Sequence, residues 1–343
     1  MASQGIEIKD LYKIFGPEGE KYVEAVKNGM SKAELNEKHG HVLGLKDINI
    51  SMPAGKIQVV MGLSGSGKST LIRHINRLID PTAGSVLYQD DDVCQMSKSE
   101  LLEFRRHKTA MVFQKFALLP HRTVIQNAVY GLQIQGIDKA EAHKRAQRWI
   151  ERVGLDGFED HYPNQLSGGM QQRVGLARAL TNDADILLMD EAFSALDPLI
   201  RTDMQSVLLD IQAELKKTIV FITHDLDEAL RLGDRIAILR DGEVIQQGTG
   251  QEIVLNPADA YISDFIQEVN RGRVIAVETI MSRTPLEGGI KIEVKPDDRL
   301  ETAAQAMSSS EETCANVRDD SGNLVGSLRL KDTINAMVTA ARH

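Results

Sequence analysis

The chain has 343 residues, of which 42% are hydrophobic and 26% are charged, so its composition excludes disordered and fibrous proteins. At roughly 100–200 residues per domain, this length predicts about two domains, each able to bury a core. The 49 acidic residues outnumber the 40 basic ones, and the net charge of -9 disfavours nucleic acid as a partner, because binding to its phosphates needs basic side chains.

Cysteine content and hydropathy predict a chain that works in the reducing cytoplasm. Cys94 and Cys314 are far apart and neither belongs to a CxxC pair, so a disulfide framework or a structural zinc site is not expected. No apolar stretch reaches the ~20 residues of a membrane span. Met1–Asp10 is charged and lacks the apolar core of a signal peptide.

Residues 17–43, called the insert below, carry a short helix signal. Ser31 and Glu34 have the spacing of a capping box, and Gly40 is a stop signal for the same helix. We expect a small pair of surface helices here, with a contact surface for a partner as the alternative.

Four short, β-rich apolar runs each end in a polar or glycine-rich turn. They are Ile57–Met61, Ala110–Phe113, Ile186–Met189 and Ile219–Thr223. Such runs are typical of strands of a parallel sheet buried on both faces, which predicts an α/β fold. Ligands of open α/β sheets bind outside the carboxyl ends of the strands, so the polar residues that follow these runs are predicted to share one site.

Helix patterns dominate between Gln114 and Asp190. Ala140–Val153 is predicted to form a long charged helix, and Met170–Leu180 places its apolar residues on one stripe at helical spacing. We therefore expect a helical subdomain at about residues 115–180 within the α/β body.

A second unit is predicted from about residue 275 to residue 343, after the polar interruption at Arg271–Arg273. Its expected elements are a strand in Gly289–Val294, a helix at Arg299–Met307 and a strand-turn-strand at Ala315–Leu330. A unit of roughly 70 residues is marginal alone, so it is expected to pair with a second copy or to dock on the main body.

The run that ends at Met61 is followed by Gly62-Leu-Ser-Gly-Ser-Gly-Lys68-Ser69, which fits the phosphate-loop pattern G-x-x-x-x-G-K-[ST]. Glycines let backbone N–H groups point at phosphates, and the helix predicted at Thr70–Leu78 adds its positive end. Lys68 is predicted to reach the β- and γ-phosphates and Ser69 to bind Mg²⁺. The residues expected to bind ATP here are Gly62, Leu63, Ser64, Gly65, Ser66, Gly67, Lys68, Ser69 and Thr70.

Asp190 and Glu191 follow the apolar run Ile186–Met189 in the Walker B pattern. Asp190 is predicted to hold Mg²⁺, directly or through water. A carboxylate at the next position can orient or deprotonate the attacking water, so Glu191 is predicted to be catalytic. In the absence of other motifs, an Asp–Glu pair is usually only the solvated end of a strand. Here the phosphate loop earlier in the chain favours the catalytic role.

A second glycine-rich helix start lies in Leu166-Ser-Gly-Gly-Met-Gln-Gln172. Ser167, Gly168 and Gly169 precede a predicted helix, and they are interpreted either as a further anion-binding site or as a flexible helix cap. One phosphate loop covers only one side of a triphosphate. A second glycine-rich helix start can supply hydrogen-bond donors to the opposite side.

Together these motifs resemble the ABC-transporter ATPase family over residues 1–270. Leu166–Gln172 is similar to the LSGGQ signature, with Met170 at the usual glutamine position. The resemblance implies a P-loop NTPase fold, with a mixed sheet core and a helical subdomain, that hydrolyses ATP with Mg²⁺.

The family resemblance also implies roles for residues outside the phosphate loop. Gln114 would be the Q-loop glutamine, which contacts ATP and Mg²⁺, and His224 would be the catalytic switch histidine. Asp197 lies in Ser194-Ala-Leu-Asp197, which is similar to the D-loop, and Phe15 would stack on adenine.

The family's partners follow from the same resemblance. Two identical chains would hold two Mg-ATP molecules head to tail, with Ser167, Gly168 and Gly169 of one chain facing Lys68 of the other. The segment from Gln114 to Arg122 would contact an integral membrane permease, which places the chain at the cytoplasmic face of the cell membrane.

Four segments narrow the resemblance to the ATPase of glycine betaine/proline importers. They are Leu45–Asn49 after the insert, Met61–Lys68, Phe116–His121 and Met189–Arg201. This implies uptake of compatible solutes, with a substrate-binding protein as an indirect partner. Choline, histidine or another amine remains open, as do a soluble ABC ATPase acting on nucleic acid or ribosomes and an ATP-binding regulator with little turnover.

The tail resembles a single CBS motif, which makes it a small α+β domain at residues 275–343. The resemblance rests on Val277–Ser282, Val294–Pro296 and Asp320–Gly326, with Leu300, Ala303 and Met307 between them. CBS motifs act in pairs, which implies pairing across a homodimer or a degenerate remnant. Ligand-dependent regulation and a purely structural dimer clamp both remain open.

Overall fold

In the computed structural model, the residues described are 5–114, 117–194, 196–284 and 290–338. The chain divides into two compact units between Gln247 and Gly248. This division lies before the boundary predicted near residue 270, because the segment after Gly248 is hydrogen-bonded to the tail. The Gln251 side chain accepts a hydrogen bond from the Ala276 amide at 2.9 Å and donates one to the Thr279 hydroxyl at 2.6 Å.

The strands of the first unit form two sheets. Their bounds are β1 (Ile6–Phe15), β2 (Val42–Met52), β3 (Ile57–Met61), β4 (Ala83–Tyr88), β5 (Asp91–Asp92), β6 (Thr109–Val112), β7 (Ile186–Asp190), β8 (Thr218–Thr223), β9 (Arg235–Arg240) and β10 (Glu243–Gly248). An antiparallel sheet has the order β2-β1-β4-β5, and a larger sheet has the order β10-β9-β3-β8-β7-β6. Strands β6 to β9 and β3 pair in parallel within the larger sheet.

All four strands predicted from apolar runs are confirmed as neighbours in this parallel sheet. Every residue of β3, β7 and β8 is buried, which is why these segments read as continuous apolar runs. Met61 pairs with Thr223, and Asp190 pairs with Ile222. The strands therefore end at one edge of the sheet, and the residues that follow them lie close together.

The helices of the first unit cover the sheets and form the predicted helical subdomain. Their bounds are α1 (Val23–Lys27), α2 (Lys32–His39), α3 (Lys68–Ile75), α4 (Lys98–His107), α5 (Val124–Ala128), α6 (Tyr130–Ile134), α7 (Lys139–Arg152), α8 (Gly168–Thr181), α9 (Pro198–Leu215) and α10 (Leu226–Leu232). Helices α5 to α8 pack on one another as that subdomain, and α7 and α8 match the two helices predicted there.

Helix α3 begins two residues before the predicted Thr70 and ends three residues before Leu78. Gly67 caps its start with φ 101°, so the last glycine of the phosphate loop sets the first turn. Arg77 adopts φ 50°, which no helix can continue through, so the helix stops at Ile75. One apolar side of α3 contributes Leu71, Ile72 and Ile75 to the main core.

The insert forms a small helical cap on the β1–β2 pair. The predicted capping box between Ser31 and Glu34 is present, and Gly40 ends α2 in the left-handed conformation. Leu35 is completely buried in a separate core, which it shares with these apolar residues of the insert and the two strands: Tyr12, Ile14, Val23, Val26 and Leu43. The prediction of a surface helix pair is therefore confirmed.

The second unit is a small α+β arrangement. Its elements are α11 (Gly250–Leu255), α12 (Ala260–Phe265), β11 (Glu293–Val294), α13 (Leu300–Ser309), β12 (Cys314–Arg318), β13 (Leu324–Arg329) and α14 (Leu330–Val338). β11 pairs in parallel with β12, and β12 pairs antiparallel with β13. The predicted helix and strand-turn-strand are confirmed within two residues. Gly289, the first residue of the predicted strand Gly289–Val294, lies outside the described residues.

Apolar side chains of both helices and strands form the core of the second unit. This core includes Leu300, Ala303 and Met307 from α13.

Within the described residues, no helix is both long and apolar enough to cross a membrane.

Candidate nucleotide-binding site

The phosphate loop lies between β3 and α3, at the edge where the parallel strands end. Gly62, Gly65 and Gly67 all adopt positive φ, at 154°, 79° and 101°. A Cβ atom on Gly62 would lie 2.2 Å from the carbonyl oxygen of Leu239, and one on Gly67 would lie 2.8 Å from the Leu45 side chain. Only glycine therefore lets the loop close this tightly, and the result is a backbone cradle shaped for phosphate oxygens.

Lys68 is held inside the loop that precedes it. Its side chain is 4% exposed, and Nζ donates hydrogen bonds to the carbonyl oxygens of Gly62 at 2.7 Å and Leu63 at 2.9 Å. Burial lowers the pKa of the ammonium, and the carboxylates of Glu191 and Asp190 act in the opposite direction. The cation is thus positioned by the backbone of the loop rather than by a single ion pair.

Ser69 and Asp190, which the sequence motifs predict as Mg²⁺ ligands, are hydrogen-bonded directly to each other. The Ser69 hydroxyl donates to Asp190 Oδ1 at 2.7 Å, and Asp190 is 2% exposed. Arg73, one turn further along α3, brings Nη2 to 3.5 Å from the other oxygen, Oδ2. A hydroxyl and a carboxylate therefore lie side by side at the start of the phosphate-loop helix.

Glu191 stands just beyond β7 in a strained conformation. Its φ is 47°, a region that costs a non-glycine residue free energy. The turn is held by a hydrogen bond from the Glu191 amide to the Ile222 carbonyl and by another from the Ser194 hydroxyl to the Glu191 carbonyl. Gln114 Nε2 donates to Glu191 Oε2 at 2.9 Å, and His224 Nδ1 lies 3.5 Å from the same oxygen. Two neighbouring strand ends thus place their polar side chains against the carboxylate at the end of β7.

These groups line one cavity of about 640 Å³. The predicted residues that line it are Phe15, Leu63, Ser64, Gly65, Gly67, Lys68, Ser69, Thr70, Gln114, Glu191 and His224. Phe15 leaves 40% of its surface exposed, with the ammonium of Lys13 at 5.2 Å from its ring centroid. Gly62, Ser66 and Asp190 do not line the cavity themselves but support the residues that do.

The predicted residues of the second glycine-rich helix start and of the D-loop-like segment do not line this cavity. Ser167 caps α8, and its hydroxyl accepts a hydrogen bond from the Met170 amide at 3.3 Å. Asp197 caps α9 in the same way through the Ile200 amide at 3.1 Å. Gly168 and Gly169 form the first turn of α8. Of the quoted resemblance segments, Phe116 and Ala195 lie outside the described residues.

The cavity also has a wall that sequence reasoning missed. Lys32 of the insert and Val42–Gly44 of β2 line it beside Phe15. No motif marks them, although the backbone pairing of Phe15 with Val42 follows from the two strands. The insert therefore contributes to the cavity as well as covering the sheet.

Arg201 is a second residue that sequence reasoning left without a role. Its guanidinium donates to Asp225 Oδ2 at 3.2 Å and to the Leu196 carbonyl at 3.3 Å. Asp225 directly follows His224, and Leu196 belongs to the D-loop-like segment. One side chain of α9 thus ties these two segments together.

The donor set fits Mg²⁺ bound together with a nucleotide. Within the described ranges, no group of three His, Cys, Asp or Glu side chains could hold a metal ion alone. Magnesium bound with nucleotides usually takes one or two protein oxygens, with phosphates and water completing its octahedron. The adjacent oxygens of Ser69 and Asp190 match this requirement.

Comparison with known proteins agrees with the geometry of the cavity. The family model described as ABC transporter matches residues 45–194. A solved dimeric ATP-binding cassette, bound to ADP and phosphate after hydrolysis, has 33% identity and a TM-score of 0.62, covering 71% of this chain and 98% of that chain.

Relatives in transport systems are more similar in sequence. The glycine betaine transport ATP-binding protein OpuAA of Bacillus subtilis is 54% identical over 81% of this chain and 66% of its own length. The glycine betaine/proline betaine transport system ATP-binding protein ProV of Escherichia coli is 52% identical over 82% and 70%. The trimethylamine N-oxide transport system ATP-binding protein TmoW of Pelagibacter ubique is 43% identical over 98% of both chains. The match thus spans about two thirds of the betaine relatives and nearly all of TmoW.

Proposed function

Because this chain belongs to the ABC transporter family of ATP-binding proteins, we propose that it is the ATP-hydrolysing subunit of a membrane importer for solutes of the glycine betaine and proline type. One observation carries the proposal. A single cavity is lined by the phosphate loop with Lys68, by the aromatic ring of Phe15 and by the carboxylate of Glu191 beside His224. These are the groups needed to bind a nucleoside triphosphate and to attack its last phosphate with water.

The phosphate loop and Phe15 bind ATP from two sides of the cavity. The N–H groups of the glycine turn and the start of α3 bind the phosphates, while Lys68 supplies positive charge to the β- and γ-phosphates. The exposed face of Phe15 is free to stack on adenine. Ser69 and Asp190 would hold Mg²⁺, which neutralises phosphate charge when it is bound. Gln114 is proposed to reach the same ion.

Glu191 then orients the attacking water and accepts its proton. The Gln114 amide and the His224 ring approach the same carboxylate oxygen, so the direction of the carboxylate is set by two other strand ends. The left-handed turn at Glu191 is held by backbone bonds and keeps the carboxylate at the cavity wall. His224 is proposed to contact the γ-phosphate from its half-exposed position.

The second glycine-rich helix start completes the site in a homodimer. Ser167, Gly168 and Gly169 lie outside the cavity of their own chain, which supports a role toward the nucleotide of a second chain. Binding of ATP between the chains would close the dimer, and hydrolysis would let it open. The segment from Gln114 to Arg122 would pass this movement to an integral permease at the cytoplasmic face of the membrane. A substrate-binding protein would deliver the solute.

The tail is proposed to pair between the two chains as a CBS-like domain at residues 275–343. It has a compact core of its own. Helix α14 leaves Ile334 and Val338 exposed, at 48% and 77%, and such apolar side chains favour contact with a second copy.

Trimethylamine N-oxide is a second candidate solute. The relative TmoW matches this chain over 98% of both lengths, whereas the betaine relatives are longer than the match. Both solutes are small methylated amines, so the same class of importer serves either. Uptake of radiolabelled glycine betaine against trimethylamine N-oxide, in vesicles that carry this chain with its permease and binding protein, distinguishes the two.

Replacement of Glu191 by glutamine tests the hydrolytic mechanism. Glutamine keeps the shape and can still accept the hydrogen bond from Gln114, but it cannot take a proton. We expect phosphate release to slow by about 10²–10⁴-fold, while binding of ATP persists. Glu243→Gln is the control, because Glu243 pairs with Lys46 and does not line the cavity. Near-normal turnover of pure Glu191→Gln protein would contradict the assignment.

A further inference from the structure

The insert supplies part of the wall of the nucleotide cavity, and this placement is fixed by packing. Leu35 of α2 is completely buried against the apolar residues of β1 and β2. The same two strands carry Phe15 and Val42, which line the cavity. Helix α2 is therefore anchored to the strands that form the adenine side of the cavity.

The helix presents Lys32 to the cavity. Residues three apart lie on one face of a helix, so Lys32 stands beside the buried Leu35. The capping box at Ser31 and Glu34 fixes the first turn, in which Lys32 is the first residue. Lys32 is exposed and lines the cavity together with Phe15 and Lys68.

The ammonium of Lys32 has no partner among the residues that the structure describes. The neighbouring carboxylate of Glu34 bonds the Ser31 backbone and the Lys38 ammonium, and these contacts lower its pKa to about 2. Within the described ranges, the Lys32 side chain makes no hydrogen bond and no ion pair. Lys68, the other ammonium of the cavity, donates to two loop carbonyls. Lys32 therefore brings three N–H donors and one positive charge to the wall of the cavity.

We propose that Lys32 is a nucleotide-binding residue, through which the insert adds a positive charge to the cavity that binds the negatively charged nucleotide. The inference rests on the proposed function, because it assumes that the cavity binds a nucleoside triphosphate. It gives the insert a role in ligand binding, whereas its sequence indicated only a surface helix pair or a partner contact.

Calorimetric titration of the full chain with AMP-PNP, a non-hydrolysable ATP analogue, tests this assignment. We expect Lys32→Gln to weaken binding by about 3–5-fold at low salt, a size typical of one exposed ion pair. The loss should shrink in 0.5 M salt because the Debye length falls with ionic strength. It should also be smaller for AMP, which carries fewer charges, and Lys32→Arg should bind as the wild type does.

Lys38→Gln is the matched control, because Lys38 lies on the same helix, pairs with Glu34 and does not line the cavity. Thermal unfolding should be unchanged by Lys32→Gln, since the side chain has no partner to lose in the part of the chain that the structure describes. Wild-type affinity in Lys32→Gln, an equal loss in Lys38→Gln, or a loss independent of salt would each overturn the inference.

A parallel titration of Lys68→Ala separates the two proposals. If Lys68→Ala loses binding while Lys32→Gln does not, the role of the insert is wrong and the proposed function stands. If the wild-type chain does not bind AMP-PNP, the proposed function itself fails.

Discussion

Mild acid should destabilise the first unit through His74, a histidine buried in the phosphate-loop helix α3. The ring is completely buried, and Nδ1 donates to the Thr70 carbonyl at 2.7 Å. Nε2 has no hydrogen-bond partner within the described residues. Burial lowers the pKa of the imidazole from 6.5 to about 4, and the charge of Lys13 acts in the same direction, whereas Asp80 opposes it.

The sign and size of the effect follow from this pKa. The unfolded chain takes up the proton near pH 6.5, before the folded chain does, so acid favours unfolding. The stability is fully present above that pH and is lost as the pH falls toward 4. A shift of this size corresponds to about 3 kcal/mol in total, and about 2 kcal/mol of it is lost between pH 7 and pH 5.

Urea unfolding followed by the fluorescence of Trp149, the single tryptophan, measures this loss at pH 7, 6 and 5. The His74→Phe variant keeps a ring in the core but cannot titrate, so its stability should fall less steeply with acid than that of the wild type. His107→Gln is the control, because that ring is about half exposed. Parallel pH profiles for the wild type and His74→Phe would refute the reasoning.

Two further substitutions test the geometry of the site. Gly62→Ala should weaken ATP binding more than about 10-fold in a titration, because its Cβ would lie 2.2 Å from the Leu239 carbonyl oxygen. In Gly65→Ala the Cβ meets open space and only the positive φ of 79° is unfavourable, so the loss should be smaller, and equal losses would contradict the steric argument. Arg201→Gln should lower the kcat of ATP hydrolysis by about 10-fold with little change in KM, because the hydrogen bond to Asp225 is lost and Asp225 directly follows His224, the proposed switch histidine. Arg201→Lys should restore part of the rate. A change in KM alone would contradict the positioning role.

The sequence predicts the parallel sheet well because burial and composition agree there. Every residue of Ile57–Met61 is buried and only Gln58 is polar, a pattern typical of a central strand covered on both faces. The residues after the strand ends were predicted to meet, and Gln114, Glu191 and His224 do meet. Parallel strands that end at one edge leave little freedom for the residues that follow.

The wall formed by the insert could not be predicted in the same way. Lys32 is one of two lysines on the charged surface helix α2, and nothing local distinguishes it from the other, Lys38. Its position depends on the packing of Leu35 against two strands whose burial alternates and is interrupted by irregular register. Long-range packing of this kind leaves no short motif in the sequence.

The left-handed backbone at Glu191 sets the stability of the fold against the catalytic role proposed for the same residue. Glycine or asparagine would adopt φ 47° at lower cost, so replacement by either would relax the turn after β7. Neither side chain could accept a proton from water. Selection for a more durable fold alone would remove this carboxylate, and its retention in a working enzyme therefore depends on the demand for turnover.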